Sequence, residues 1–391
     1  MLFEKHLRKD RGPRKYSEPL YVFLDRSPRR DFDKIRRLLG LWYSHYPKQH
    51  QGDFKTRFRS EDNSNHISAF FELWMHELLL RMDYQVEIHP DVRGVRTHPE
   101  FLARKNGIPM FYVEYTLAEG SREEAAARKR EDIVYDTLNK TDSPYFFLEI
   151  RIVKSTTTPP SGSKWRTILE NELSKIDPDD PLFRSAEHDL FPKWTLKDNG
   201  WEVVFTAIPK TTGARGRKGI RPVGITWLGP TWIRDHVHIR NSINAKSTKY
   251  GDLGLPYVVA VNAISHFSDD ILIQEALFGD EVVRIFRKPN GSYGHELARK
   301  RNGTWIGPKG PQNKGVSCAV ILDYLLWGNI TRVNPILWHN PWARNPLPPD
   351  CWLLSQKKLD LSNGHIETLI GIRAHDIFAL PENWPATDKE T

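Results

Sequence analysis

Cysteine is nearly absent: Cys318 and Cys351 are the only two in 391 residues. That is too few for a disulfide framework, and too few for a zinc site of their own. Long apolar runs are missing as well. None approaches the roughly 20 residues a helix needs to cross a bilayer. The N-terminus, Met1-Leu2-Phe3-Glu4-Lys5-His6, leads into charge rather than into the apolar stretch of a secretory signal. These absences predict a cytoplasmic protein with no membrane partner. With 39% hydrophobic and 27% charged residues, what remains is a globular chain. Its length allows a large core and more than one domain.

Charge is unbalanced in one place. Residues 1–60 hold 16 Lys/Arg against 7 Asp/Glu, while the other 331 residues hold 41 against 42. A basic N-terminal segment suits an anionic polymer, or it is a solvated arm. Arg29, Arg30, Arg36 and Arg37 are its candidate nucleic-acid contacts. Trp42, Tyr43, Tyr46 and Phe54 either stack on bases or pack on the core.

Periodicity divides the rest. Residues 1–19 read as loosely ordered, Leu20–Leu24 as a short strand and Asp31–Tyr46 as an amphipathic helix. Asn65 or Ser68 can cap the next helix, Phe70–Leu80, which is apolar on more than one side and so predicts burial. Strands follow at Tyr84–Ile88, Glu100–Arg104 and Pro109–Thr116, the last two joined by the tight-turn pair Asn106-Gly107. The loop between the first two holds Arg93 and Arg96. Ser121–Asn139 reads as a helix with a Ser121/Glu124 capping box, and Tyr145–Val153 as a fourth strand.

Further elements are read at Trp165–Ile176, Trp201–Ile208, Val223–Leu228, Ile239–Leu253, Pro256–Ala263, Asp269–Phe278, Glu281–Phe286 and Cys318–Leu325. The helix–strand pair at 239–263 echoes the one at 121–153. The domain reading is a basic segment 1–60, a core 61–155, a linker and helix 156–194 and a C-terminal α/β domain 195–391. The fold class is α/β with a mixed sheet. A basic loop at 211–221, with Arg215, Arg217, Lys218 and Arg221, is a weak phosphate-contact candidate. The proline-bound block Trp338–Pro348 is a candidate protein-partner surface.

Carboxylates carry the chemistry. Glu72 sits on the buried helix, four residues before His76 and on its face, where a Glu72–His76 hydrogen bond is the plain structural reading. Glu100 opens the second strand and Glu114 lies in the third. Counting back from the turn sets position 100 against 113, so a bulge or a register slip is needed to bring Glu100 beside Glu114. Acidic groups converging from strands and a packed helix suit a hydrated Mg²⁺, which can position water and neutralise a scissile phosphodiester.

The residues Pro99-Glu100 … Glu114-Tyr115-Thr116, in the order helix, three strands, helix, strand, resemble the motif of PD-(D/E)XK nucleases, the restriction-endonuclease-like fold. Phe71-Glu72, Leu78-Leu79 and Asp83-Tyr84 resemble the helix of Mrr-type restriction enzymes. The resemblance covers roughly residues 66–153. It implies an αβββαβ core and Mg²⁺ or Mn²⁺ held by Glu72, Glu100 and Glu114. It also implies DNA cleavage of a restriction or phage-defence kind, a homodimer being one arrangement. Two residues depart from the motif: Glu100 stands for the usual Asp, and Thr116 for the usual Lys. Some family members take the missing charge from the following helix. Arg122, Arg128, Lys129 and Arg130 are candidates for it, as are Lys246 and Lys249 if the second half packs close. Arg128 and Lys129 are also nucleic-acid candidates. The alternative is an inactive nuclease fold that binds nucleic acid or a partner.

Overall fold

Residues 1–185, 191–217, 221–224, 235–264, 269–287, 289 and 291–386 are described by a computed structural model. The chain forms two units. The first comprises Met1–Arg11, Pro19–Glu119 and Ile233–Thr391; the second comprises Gly12–Glu18 and Gly120–Trp232. The expected boundaries at 60, 155 and 194 do not coincide with this division.

The first unit opens with four helices, α1 (Leu20–Arg26), α2 (Arg30–His45), α3 (Gln51–Phe58) and α4 (Asn63–Arg81). The run expected as a strand at Leu20–Leu24 is α1. Pro19 precedes it at φ −55°, and Leu20, Phe23 and Leu24 bury one helical stripe. Asp62, rather than Asn65 or Ser68, caps α4 by accepting from the backbone N–H groups of Ser64 and Asn65. Trp42, Tyr43, Tyr46 and Phe54 are buried in the core, so Pro19–Ser60 is integral to this unit and these rings do not stack on bases. Leu2 is buried in the same core. The α4 helix is buried almost all round, as its apolar composition predicts.

Three antiparallel strands follow, β1 (Gln85–Ile88), β2 (Phe101–Lys105) and β3 (Ile108–Ala118). Asn106 and Gly107 turn between β2 and β3 at φ +52° and +79°, as a two-residue hairpin loop requires. The needed bulge is present. Ala103 pairs with Phe111 but Arg104 with Pro109, leaving Met110 extra.

The second unit is inserted after β3. It holds α5 (Arg122–Leu138), β4 (Phe146–Lys154), α6 (Gly162–Leu173), β5 (Lys193–Asp198), β6 (Trp201–Pro209) and β7 (Val223–Gly224). The Ser121/Glu124 capping box starts α5. The strands form their own sheet, in the order β5-β6-β4-β7, over a core that includes Leu138, Leu148, Trp165 and Phe205. The helix and strand expected to complete the β1–β3 sheet therefore belong to a different sheet. Residues 225–228 of the expected strand Val223–Leu228, and Lys218, lie outside the described residues.

The chain then re-enters the first unit through α7 (Asp235–Ser247) and β8 (Tyr257–Ala263), and β8 pairs parallel to β3. Parallel neighbours need a crossover. Here the connection contains Gly120–Trp232, the larger part of the second unit, with α7 as its final helix. After α8 (Asp270–Phe278) come a two-stranded ribbon, β9 (Glu281–Arg287) and β10 (Tyr293–Arg299), and a minimal pair, β11 (Ile306–Gly307) and β12 (Gly310–Pro311). The chain ends with β13 (Cys318–Asp323), β14 (Ile336–His339), β15 (Gln356–Leu359), β16 (Ile366–Leu369) and α9 (Ala374–Ile377).

The main sheet is mixed, in the order β1-β2-β3-β8-β13-β14-β15-β16. Its faces have different cores. Phe101, Val113, Tyr115 and Val258 pack with α4 on one side. Val259, Val261 and Trp338 pack with Ile239 and Ile243 of α7 on the other. Trp338 is buried in β14 and Trp342 is packed against that second core, so the 338–348 block is not an exposed partner surface. Among the described residues no helix is long and apolar enough to cross a membrane.

Candidate active site

Glu114 is fully buried in the middle of β3, opposite Val259 of β8. Alternation along the strand turns it towards α7, away from its neighbour Tyr115. A buried carboxylate without partners costs several kcal/mol. Glu114 has three. Oε1 accepts from Lys246 Nζ at 2.7 Å and from Lys249 Nζ at 3.0 Å, and Oε2 lies 2.5 Å from the Tyr250 hydroxyl. Lys246 lies in the last turn of α7, and Lys249 and Tyr250 follow it. Both lysine side chains keep some exposure, at 23% and 31%. The cluster therefore opens to solvent through its lysines. The Tyr250 hydroxyl also lies 2.6 Å from the His98 carbonyl. It has one proton to donate to these two acceptors. Burial, then the bond to Glu114, holds that phenol well above its ordinary pKa, so the proton stays.

Glu100 immediately precedes β2. Phe101 is paired with Val113, so one step further sets Glu100 opposite Glu114 and on the same face. The Met110 bulge is what creates this register. Glu100 is 21% exposed, and its Oε2 lies 3.3 Å from His89 Nε2. That bond raises the His89 pKa, against the opposing effect of burial. His89 holds a left-handed backbone at φ +50° while its N–H donates to the Glu100 carbonyl at 3.0 Å. The start of β2 is thus held by both backbone and side chain of one histidine.

Glu72 lies on the opposite face. Arg57 donates to it at 2.5 and 3.1 Å, and the hydroxyls of Tyr46 and Tyr115 also donate to it. Tyr115 is next to Glu114 in β3, so the sheet separates Glu72 from Glu114. The expected metal set of Glu72, Glu100 and Glu114 is therefore not assembled. Among the described residues no group of three or more His, Cys, Asp or Glu side chains could hold a metal ion. Glu72 does not bond His76 either. The His76 ring packs near Tyr46 and Phe101, and its Nδ1 has no hydrogen-bond partner. Burial lowers its pKa to about 4.

Thr116 shares the Glu114 face two residues on, and its hydroxyl donates to the Leu117 carbonyl at 3.4 Å. It supplies no cation. Lys246 and Lys249 bring ammonium groups onto Glu114, whereas Arg122, Arg128, Lys129 and Arg130 belong to the second unit.

Of the other basic candidates, Arg36 is buried and donates to the carbonyls of Leu24 and Ser27, so it is structural. Arg29 and Arg37 are exposed but paired with Asp31 and Asp33. Arg30, Arg93, Arg96, Arg128 and Lys129 are exposed. In the 211–221 loop, Arg215 grips Asp179 through two bonds of 2.9 Å, and Arg221 donates to the Pro13 carbonyl. That loop is therefore tied into the second unit. Tyr250 and His89 escaped the sequence reading. The one signal for Tyr250 was its spacing, four residues after Lys246 in the expected helix Ile239–Leu253, which in the structure ends at Ser247.

No family model, curated protein or solved structure matches this chain.

Proposed function

We propose that the chain is a divalent-metal-dependent nuclease that hydrolyses DNA phosphodiester bonds, with a PD-(D/E)XK-like site whose lysine comes from α7. The observation that carries this reading is Glu114 in β3 with the Lys246 ammonium on it, and Glu100 just before β2, next in register to the Phe101–Val113 pair. The path α4–β1–β2–β3, then α7 and the parallel strand β8, supports it. This path has a helix–three-strand–helix–strand order, with α7 and β8 in the places expected of Ser121–Asn139 and Tyr145–Val153.

Two carboxylates, not three, are the donors on this face. Mg²⁺ accepts one or two carboxylates when water and substrate phosphate complete its shell, so Glu100 and Glu114 fit such an ion at the minimum. The ion supplies charge neutralisation and an activated water. The protein's own contribution is positional. Glu114 is fixed by Tyr250, and Glu100 by His89. Lys246 and Lys249 stand at the solvent side, where an ammonium can meet a phosphate oxygen as negative charge builds there.

A supercoiled-plasmid assay with Mg²⁺ or Mn²⁺ tests the reading. Cleavage that needs metal and drops at least about 100-fold in Glu114→Ala and Lys246→Ala supports it. Metal-independent cleavage, or equal activity in the variants, overturns it. One observation favours a second reading. Both Glu114 oxygens are already engaged by Lys246, Lys249 and Tyr250, which suits a silent nuclease fold that only binds nucleic acid. Salt-dependent DNA binding with no cleavage under either metal selects that reading.

A further inference from the structure

The ribbon β9–β10 leaves large apolar side chains in solvent. Val283, Ile285, Tyr293 and Leu297 are 58%, 70%, 74% and 75% exposed. The register sets Val283 opposite Leu297, Ile285 opposite His295 and Arg287 opposite Tyr293, so all of them line one face. A lone two-stranded ribbon is marginal in water, and an apolar face of this kind marks an interaction site.

Charge indicates the partner. Residues 281–301 carry six Lys/Arg (Arg284, Arg287, Lys288, Arg299, Lys300, Arg301) against two acidic residues, Glu281 and Glu296, a balance of +4. Pairing with a second copy would bring two such ribbons together at like charge. A polyanion meets no such cost. The major groove of B-form DNA admits a two-stranded ribbon. The ribbon's seven-residue strands reach about 24 Å at about 3.4 Å per residue.

The root of the ribbon is tied to the candidate active site. Arg240 of α7 donates to Asp280, immediately before β9, at 2.6 Å, and to the Glu275 carbonyl of α8 at 2.9 Å. Lys246 lies six residues further along the same helix, about 9 Å along its axis. One rigid element therefore carries both the ribbon's anchor and the lysine on Glu114.

We propose that the β9–β10 ribbon is a docking arm for duplex DNA, entering the major groove with its Val283/Ile285/Leu297 face against base edges and thymine methyls and with Arg287 on the backbone. The proposal builds on the nuclease reading but is tested apart from cleavage. The full-length protein is titrated into a labelled 30-base-pair DNA duplex in EDTA, and anisotropy is read across a salt series. Two double variants are compared with wild type, Arg287→Ala/Tyr293→Ala and Ile285→Thr/Leu297→Thr, with circular dichroism as the fold control. At least a tenfold loss of affinity in both, with a salt slope shallower by about one in the arginine variant, supports the arm. Wild-type affinity in both folded variants overturns it, and metal-dependent plasmid cleavage by the same variants then leaves the nuclease reading standing. Ribbon-dependent binding by a protein that never cleaves does the reverse. Equal affinity for an RNA duplex of the same length overturns the groove assignment, because the A-form major groove is too narrow for side chains to read. A change in sedimentation from dimer to monomer without a change in DNA affinity overturns it in favour of self-association.

Discussion

Lys246 Nζ lies 2.7 Å from Glu114 Oε1, although 132 residues and an inserted unit separate the two in sequence. In the usual motif the lysine is two residues from the acid, at the position held here by Thr116. If Lys246 has taken over that role, moving the cation back along the strand restores function. Lys246→Ala is expected to lower cleavage about 100-fold or more. The double variant Lys246→Ala/Thr116→Lys is expected to recover at least a tenth of wild-type activity in the plasmid assay. Recovery with Lys249→Ala in place of Lys246→Ala, and none with Lys246→Ala, would move the role to the second lysine.

The Glu72 network is structural. Removing the carboxylate leaves two buried hydroxyls without an acceptor and Arg57 with Asp53 alone, and breaking such a pair costs about 3–5 kcal/mol. Urea unfolding should show Glu72→Ala destabilised by that amount and Tyr115→Phe by about 1 kcal/mol. Both variants, once folded, should cleave within a few-fold of wild type. Selective loss of activity in Glu72→Gln at unchanged stability would return Glu72 to the site.

Metal binding should be visible without turnover. A ligand that binds only the folded chain raises its stability by about 2.7 kcal/mol at a hundred times its dissociation constant. Mg²⁺ should therefore raise the thermal midpoint of wild type and of Glu72→Gln, and leave Glu100→Gln and Glu114→Gln unmoved. A shift that survives in Glu114→Gln places the ion elsewhere.

Acid stability should be set largely by two histidines. Burial lowers His66 and His76 to about 4, below the ordinary value of 6.5. Between those values the unfolded chain binds a proton at each ring and the folded chain does not, so stability rises with pH across that window. It falls by up to about 3 kcal/mol per ring as pH drops from 6.5 to 4. At His66 the neutral ring donates through Nδ1 to the Phe58 carbonyl and accepts from Trp327 through Nε2, and protonation ends the second bond. His89 acts in the opposite sense. Its raised pKa gives a stabilisation that is full in acid and lost as pH rises through that value. The test is the urea midpoint from pH 7 to 4.5 for wild type and His66→Gln/His76→Gln, the variant being expected to show a markedly flatter slope.

The central hairpin was legible in the sequence because its signals are local. Asn106-Gly107 specifies the turn, alternation specifies the faces, and the mismatch of one residue between Glu100 and Glu114 demanded the bulge at Met110. The helix after β3 was misassigned for the opposite reason. Ser121–Leu138 is a well-capped helix followed by a strand, and no local property separates it from the crossover the sheet needs. Only the parallel pairing of β3 with β8, a long-range fact, does so. Glu72 was misjudged because buried acids on a helix look alike in sequence whether they face a metal or an arginine. The partners that decide it, Arg57 and Tyr115, come from two other elements.

The inserted unit also has a consequence for synthesis. A ribosome releases both acids of the proposed site long before the lysine that faces them. At about 5–20 residues per second, the 132 positions from Glu114 to Lys246 take about 7–26 seconds. Throughout that interval, and in any product of premature termination within the insertion, the emerging protein has carboxylates without their counter-cation. On the proposed nuclease reading, Glu114 gains its counter-cation only once synthesis has passed the insertion and reached Lys246.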